Sequence, residues 1–175
     1  MTLIKEDGKT SNMLTKIAKK SVSWIILLAI FLGGQAWINR DMASGIAPAI
    51  QAQTLMGENF QLDQLKGEEA VIYFWASWCG ICRTMESGIS ELSQETPLIS
   101  IAMQSGNTQE VLDHMKKTHI QMPVINDPSG QFSANYGIKG VPAIFIIDKQ
   151  GNIRYATSGY SPIWAIKTRL WLASL

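Results

Sequence analysis

Residues 70–83 read AVIYFWASWCGICR, and the whole chain is organised around them. Ala70 to Ala76 is an unbroken apolar and aromatic run between Glu69 and Ser77, the pattern of a strand buried on both faces. Directly after it come Cys79 and Cys82, with two residues between them and the only cysteines of the 175-residue chain. Beyond them Ile81, Met85, Ile89 and Leu92 recur at i, i+4, i+8 and i+11, one stripe of an amphipathic helix that ends before Pro97. A dithiol therefore sits where a buried strand gives way to a helix. A thiolate at that place is stabilised by unpaired amide groups and the positive end of the helix dipole. Cys79 is thus expected to be the nucleophile, with a depressed pKa, and Cys82, one turn in, the buried partner. The reaction suited to such a pair is attack on a disulfide followed by resolution of the mixed disulfide.

Alternatives to a redox pair have less support in the sequence. A zinc site needs two further ligands, and the histidines are His114, with thirty-one residues between it and Cys82, and His119, five further on and off one helical face. They are expected to be solvated surface residues, and no metal or cofactor is expected. A purely structural disulfide closing a four-residue loop would restrain the unfolded chain little. Met115, His119 and Met122 suggest copper ligands, but helical spacing explains Met115 as core. Trp78 reads equally as a flank of the exposed thiol or as a packed aromatic.

Outward from this centre, the chain alternates. Upstream, AIQAQTLMGENFQL holds two short apolar runs around Gly57-Glu58-Asn59, a hairpin, with a helical turn at Leu62 to Leu65. Downstream, Leu98 to Met103 is a second buried strand. Asn107 with Glu110 caps a helix through about Lys117. Pro123-Val124-Ile125 is a short strand, Gln131 to Tyr136 a short helix, and Ala143 to Ile147 a third long strand that turns at Asp148–Asn152 into a hairpin partner, Ile153 to Thr157. Ser161-Pro162 predicts an N-cap and first-turn proline for a last helix to Leu172. This order predicts an α/β fold with a central mixed sheet, helices on both faces and an N-terminal hairpin.

The N-terminal quarter is different. Residues 1–21 carry five lysines against two acids, a charge of +3, whereas 42–175 hold nine basic and eleven acidic residues, −2. Between Lys20 and Arg40 lie nineteen uncharged residues. As a helix they span about 28 Å, enough to cross a bilayer core. Trp24 and Trp37 stand near its ends, and the lysines place the N-terminus inside. Three readings are open: a retained anchor, a signal peptide cleaved near Gly34-Gln35-Ala36, and a buried core helix. The twenty-residue leader favours the anchor over cleavage, and nothing polar alternates on one face of Ile25 to Leu32, as a core helix would need. The expected organisation is a basic cytoplasmic leader (1–21), a transmembrane anchor (22–39), a linker (40–48) and one domain (49–175). The first two readings put the body across the membrane, where disulfides persist. With a net charge of +1 and 17% charged residues, a nucleic-acid partner is not expected, and 46% hydrophobic residues exclude a disordered chain.

FWASWCGIC resembles the active-site signature of thioredoxin-like proteins, and Gly140-Val141-Pro142 before the AIFII strand resembles their cis-proline loop. APAIQAQTLMGENFQLDQLKG is similar to the added hairpin of the TlpA and DsbE-like branch of membrane-tethered periplasmic disulfide oxidoreductases. With its anchor and its GYSPIWAIKTRLWL tail, the chain is most similar to the suppressor-of-copper-sensitivity D group. The resemblance covers Pro48 to the C-terminus. It implies a bacterial inner-membrane, single-pass protein with its domain in the periplasm. It also implies a substrate groove of Trp78, Gly80, Ile81, Val141 and Pro142, protein substrates with thiols or disulfides, and a membrane thiol reductase as electron donor. The implied function is a reductase or isomerase-type oxidoreductase linked to copper tolerance, with a disulfide-introducing oxidase or a redox-inert copper-binding module as alternatives. Two departures stand out. Tyr73 occupies the place of thioredoxin's buried aspartate. Arg83-Thr84-Met85-Glu86-Ser87 lacks the branch's helix-kinking proline and has its glutamate one residue late, about 100° around a helix. Glu86 is therefore expected to be a poor proton acceptor for Cys82, and that role has no candidate.

Overall fold

A computed structural model describes residues 40–175 and, before them, Trp24, Ile26, Leu27, Ala29, Ile30, Gly33 and Gly34. The chain divides into two units, 1–40 and 41–175. In the first, the seven described positions before Arg40 are helical and exposed. The basic leader and most of the expected anchor lie outside the described residues, among which no helix is long and apolar enough to cross a membrane.

The second unit is a thioredoxin-like α/β fold. Its strands are β1 (Gly45–Ile46), β2 (Gln51–Gln53), β3 (Asn59–Gln61), β4 (Ala70–Trp75), β5 (Leu98–Met103), β6 (Val124–Asp127), β7 (Ala143–Ile147) and β8 (Asn152–Ser158). Its helices are α1 (Gly80–Arg83), α2 (Glu86–Glu95), α3 (Thr108–Thr118), α4 (Gln131–Asn135) and α5 (Ile163–Ala173), with a 3-10 turn at Leu62–Leu65. Six strands form one mixed sheet in the order β1-β8-β7-β4-β5-β6, and β2 and β3 form the expected separate hairpin. The β4–β5 and β5–β6 pairs are parallel; β4–β7 and β7–β8 are antiparallel.

Every residue of β4 is buried, and the pleat divides them between two cores. Val71, Tyr73 and Trp75 face α2, α3 and α5, together with both cysteines. Ala70, Ile72 and Phe74 face Tyr136, the hairpin residue Phe60, and Leu62. Burying side chains of this size stabilises by about 1.5–3 kcal/mol each.

Three local expectations are corrected. Part of the stretch read as linker is sheet: β1 pairs with β8, and Ala43 and Ala47 donate backbone hydrogen bonds to Tyr136 and Gly151, both 3.0 Å. A two-residue strand has too few positions to show a period. The helix after the cysteines is broken at Thr84–Met85, where i+3 bonds (Thr84 N–H to Ile81 O, 3.1 Å; Met85 N–H to Cys82 O, 2.9 Å) tighten the turn. Thr84 Oγ1 also donates to Ile81 O, 2.7 Å. Met85, Ile89 and Leu92 are buried as expected, but Ile81, before the break, is 51% exposed. Ser161 does not cap the last helix; Pro162 occupies that position and Ser161 is buried. The start of α5 lies close against α2, where a Cβ on Gly88 would come within 2.6 Å of the Ile163 side chain.

Candidate active site

β4 ends at Trp75 and the chain turns, with the Cys79 N–H donating to Ala76 O at 3.0 Å. Cys79 is the N-cap of α1, in extended conformation, and its Sγ accepts from the Cys82 N–H at 3.1 Å. The two sulfurs are joined as a disulfide with the Cα atoms 5.3 Å apart. Cys79 keeps a sliver of exposure, 6%, while Cys82 has none.

Sheet register brings two distant loops to this turn. Phe74 pairs with Ala143 across β4–β7, so the residues before β7 lie beside the cysteines. The Val141–Pro142 bond is cis, as the resemblance implied. Val141 O stands 3.5 Å from Cys79 Sγ, and Pro142 O accepts from the Gly159 N–H at 2.8 Å. On the other side Trp75 pairs with Ala102 across β4–β5, which sets the loop after β5 alongside. There the Ser77 N–H donates to Ser105 Oγ at 3.0 Å, and Trp78 Nε1 donates to Gln104 O at 3.0 Å. Gln104 takes a left-handed backbone conformation, φ 45°. Trp78 is 58% exposed, so it flanks the cysteine turn with its ring in solvent and its N–H fixed. Gly80 and Ile81 are exposed beside it, and a Cβ on Gly80 would meet nothing within 4 Å. The residues expected to form a groove, Trp78, Gly80, Ile81, Val141 and Pro142, are therefore all contributed by the cysteine turn and the proline loop that meets it.

On the helix-covered side of β4 the structure corrects one expectation. His114 is not a solvated residue. It is half-buried, with Nε2 3.0 Å from Glu86 Oε1 and its ring against that of Trp75, centroids 5.4 Å apart. Glu86, at the start of α2 beyond the break, is 3% exposed. The Tyr73 hydroxyl is buried without a hydrogen-bond partner among the described residues. Burial, and then the charge of Glu86, push its phenol well above the ordinary tyrosine value, so it stays protonated. His119 is exposed, as expected, at the left-handed C-cap of α3, and Met115 and Met122 are buried in the core. The Glu86–His114 pair escaped the sequence reading, although a glutamate four residues after the second cysteine and a histidine beside core Met115 on a capped helix were the available signals.

A disulfide with one edge at the surface and the other sealed in the core, beside a backbone carbonyl and an exposed tryptophan, is built for exchange with another disulfide or thiol. Comparison with known proteins agrees. The Redoxin family matches residues 42–167. A thioredoxin-like protein of Haemophilus influenzae is 29% identical over 90% of this chain and 95% of its own. A probable thiol:disulfide interchange protein DsbE-2 of Pasteurella multocida is 30% identical over 77% of each chain. The crystal structure of a putative thiol:disulfide interchange protein DsbE from Chlorobium tepidum superposes with a TM-score of 0.68 over 75% of this chain and 98% of its own, at 24% identity. This chain belongs to the Redoxin family and is a thiol–disulfide oxidoreductase of the DsbE type, with Cys79 and Cys82 as its disulfide pair.

Proposed function

We propose that the protein reduces or isomerises disulfides of protein substrates, with Cys79 as the nucleophile and Cys82 as the resolving thiol. The observation that carries this reading is the asymmetry of the pair: Cys79 Sγ at the helix start, 3.5 Å from Val141 O, and Cys82 fully buried. In the reaction the Cys79 thiolate attacks a substrate sulfur, a protein–substrate disulfide forms, and the first substrate sulfur leaves as a thiolate that takes up a proton. Cys82 then attacks Cys79 Sγ and releases the second. The substrate gains two electrons and the dithiol becomes the disulfide. Trp78, Gly80, Ile81, Val141 and Pro142 border the extended substrate segment. A membrane thiol reductase returns the dithiol to its reduced form, and the 22–39 helix holds the domain at the periplasmic face of a bacterial inner membrane. The link to copper tolerance rests on the resemblance to the suppressor-of-copper-sensitivity D group; Met115 and Met122 are occupied in the core and do not favour a copper-binding module.

The test is the equilibrium of Cys79–Cys82 against glutathione. A potential near that of thioredoxin, about −270 mV, supports the reductase; one near that of DsbA, about −120 mV, makes the protein a disulfide-introducing oxidase. Retention of the intact N-terminus in carbonate-washed membranes tests the anchor.

A further inference from the structure

We propose that the outer face of α5 is the seam of a two-fold pair of this chain. α5 reads IWAIKTRLWLA and is apolar on two sides. Ile163, Ile166, Leu170 and Ala173 turn inward and pack on the core. Trp164, Thr168 and Trp171 recur at i, i+4 and i+7 on the other side, and Leu175 continues the stripe past the helix end. Trp164 is 72% and Trp171 62% exposed, and Leu172 and Leu175 are exposed with them. A helix that is apolar all round belongs in an interior, so a second surface is needed to cover this side. Hydroxyls and charge along the stripe are already engaged. Thr168 Oγ1 donates to Trp164 O at 2.8 Å, and Ser174 Oγ to Trp171 O at 2.7 Å. Lys167, at the flank, pairs with Glu95 of α2 at 2.7 Å.

Area and symmetry identify the occupant as a second copy. Two indoles and two leucines at this exposure amount to roughly 500 Å², the upper range of what a monomer leaves open. Two such faces bury about 1,000 Å², the threshold of a specific interface. Trp164 and Trp171 lie about 10 Å apart along the helix. An antiparallel two-fold axis between Lys167 and Thr168 therefore sets Trp164 of each copy against Trp171 of the other. Both meetings are indole on indole, and each Lys167 is neutralised by its own Glu95, so like charges do not oppose one another at the axis. A bilayer also suits tryptophan, but two observations point away from it. The chain enters the domain on the other side of the sheet, where Ala43 N–H donates to Tyr136 O at 3.0 Å and Tyr136 belongs to the core under the hairpin. In addition α2, packed beside α5, exposes Glu91 and Glu95, whereas helices that lie on anionic lipid carry lysine and arginine around their apolar face.

Photo-crosslinking of the purified full chain in lipid vesicles, at one lipid-to-protein ratio throughout, reads the occupant directly. With p-benzoylphenylalanine at position 168, irradiation should give an adduct of twice the chain mass. The same probe in place of Met56, an exposed residue of the β2–β3 turn, should give about tenfold less or lower still. Trp164→Glu and Trp171→Glu should each reduce the position-168 adduct by about tenfold or more, because two-fold symmetry sets each new carboxylate against an indole twice. Insulin reduction per chain should stay within about twofold in both variants, which also shows that they fold, since neither residue belongs to the dithiol or its groove. A lipid adduct at position 168 in place of the doubled chain would overturn the proposal. So would equal adducts from positions 168 and 56, or a doubled chain that survives both glutamates.

Discussion

The two faces of β4 carry different burdens. Toward the hairpin, Phe74, Tyr136 and Phe145 pack as a cluster of tilted and edge-on rings with centroids 4.9–5.8 Å apart. The polar atom brought in with them is satisfied, because the Tyr136 hydroxyl donates to Pro48 O at 2.8 Å. Toward the helices, one residue along the same strand, Tyr73 buries a hydroxyl with no partner among the described residues, and Glu86, His114 and both cysteines lie on that side. One strand thus separates a face that only stabilises from a face that keeps unsatisfied and ionisable groups near a reactive sulfur. Departures from good packing practice mark the chemistry here.

The sharpest way to break that division is to damage each face and read both stability and exchange. Phe145→Ala, on the hairpin side, should cost about 3–5 kcal/mol of stability in denaturant unfolding. Whatever remains folded should reduce insulin normally. Cys79→Ser should do the reverse, with insulin reduction falling to background and little change in unfolding. A variant pair that lost both properties equally would mean that the two faces are not separable.

A subtler contrast uses the two tyrosines. Tyr136→Phe leaves Pro48 O without its donor and should destabilise by about 1–2 kcal/mol, whereas Tyr73→Phe removes an unpaired hydroxyl and should be neutral or stabilising. Burial raises both phenols above their ordinary value, with the charge of Glu86 adding to the effect at Tyr73. A raised acid contributes stability that is intact below the unfolded value, about 10, and is lost as pH rises beyond it. Both Phe variants should therefore flatten the alkaline loss of stability while differing in sign at neutral pH. Equal effects at neutral pH would remove the distinction between the faces.

The smallest effect belongs to the β7–β8 turn, at the end of β7 opposite the proline loop. Burial alone would raise the Asp148 carboxyl. Hydrogen bonds from the Asn152 backbone and side chain and the Gln150 backbone, with the charge of Arg154, outweigh it and hold the group below its ordinary value. Stability from a lowered acid is present above the unfolded value and disappears as pH falls through the folded one. Asp148→Ala should lower the melting temperature slightly at pH 7 and not at pH 2, with exchange unchanged. A loss that persisted in acid would place the effect in packing.

Much of this organisation is legible in the residues. The buried run of β4, the Asn107–Glu110 capping box and the β7–β8 hairpin are local signals, and each forms where its pattern predicts. The cysteine and proline loops are legible through resemblance, since sixty-two residues separate Cys79 from Val141 and only the β4–β7 register joins them. What stayed hidden depends on packing between elements. The break after Arg83 coincides with the Thr84 hydroxyl bonding Ile81 O, not with a proline, and Ile81, before it, is exposed. The Glu86–His114 pair joins residues twenty-eight apart on two helices, whose rotation on the sheet no single helical period reveals.

The central claim is that the two sulfurs are unequal, one presented at a helix start and the other enclosed. Reduced protein treated at neutral pH with a limiting amount of iodoacetamide, then digested and weighed peptide by peptide, reads this directly. Cys79 should be alkylated well before Cys82. Equal labelling, or Cys82 modified first, would contradict the assignment of attacking and resolving thiols.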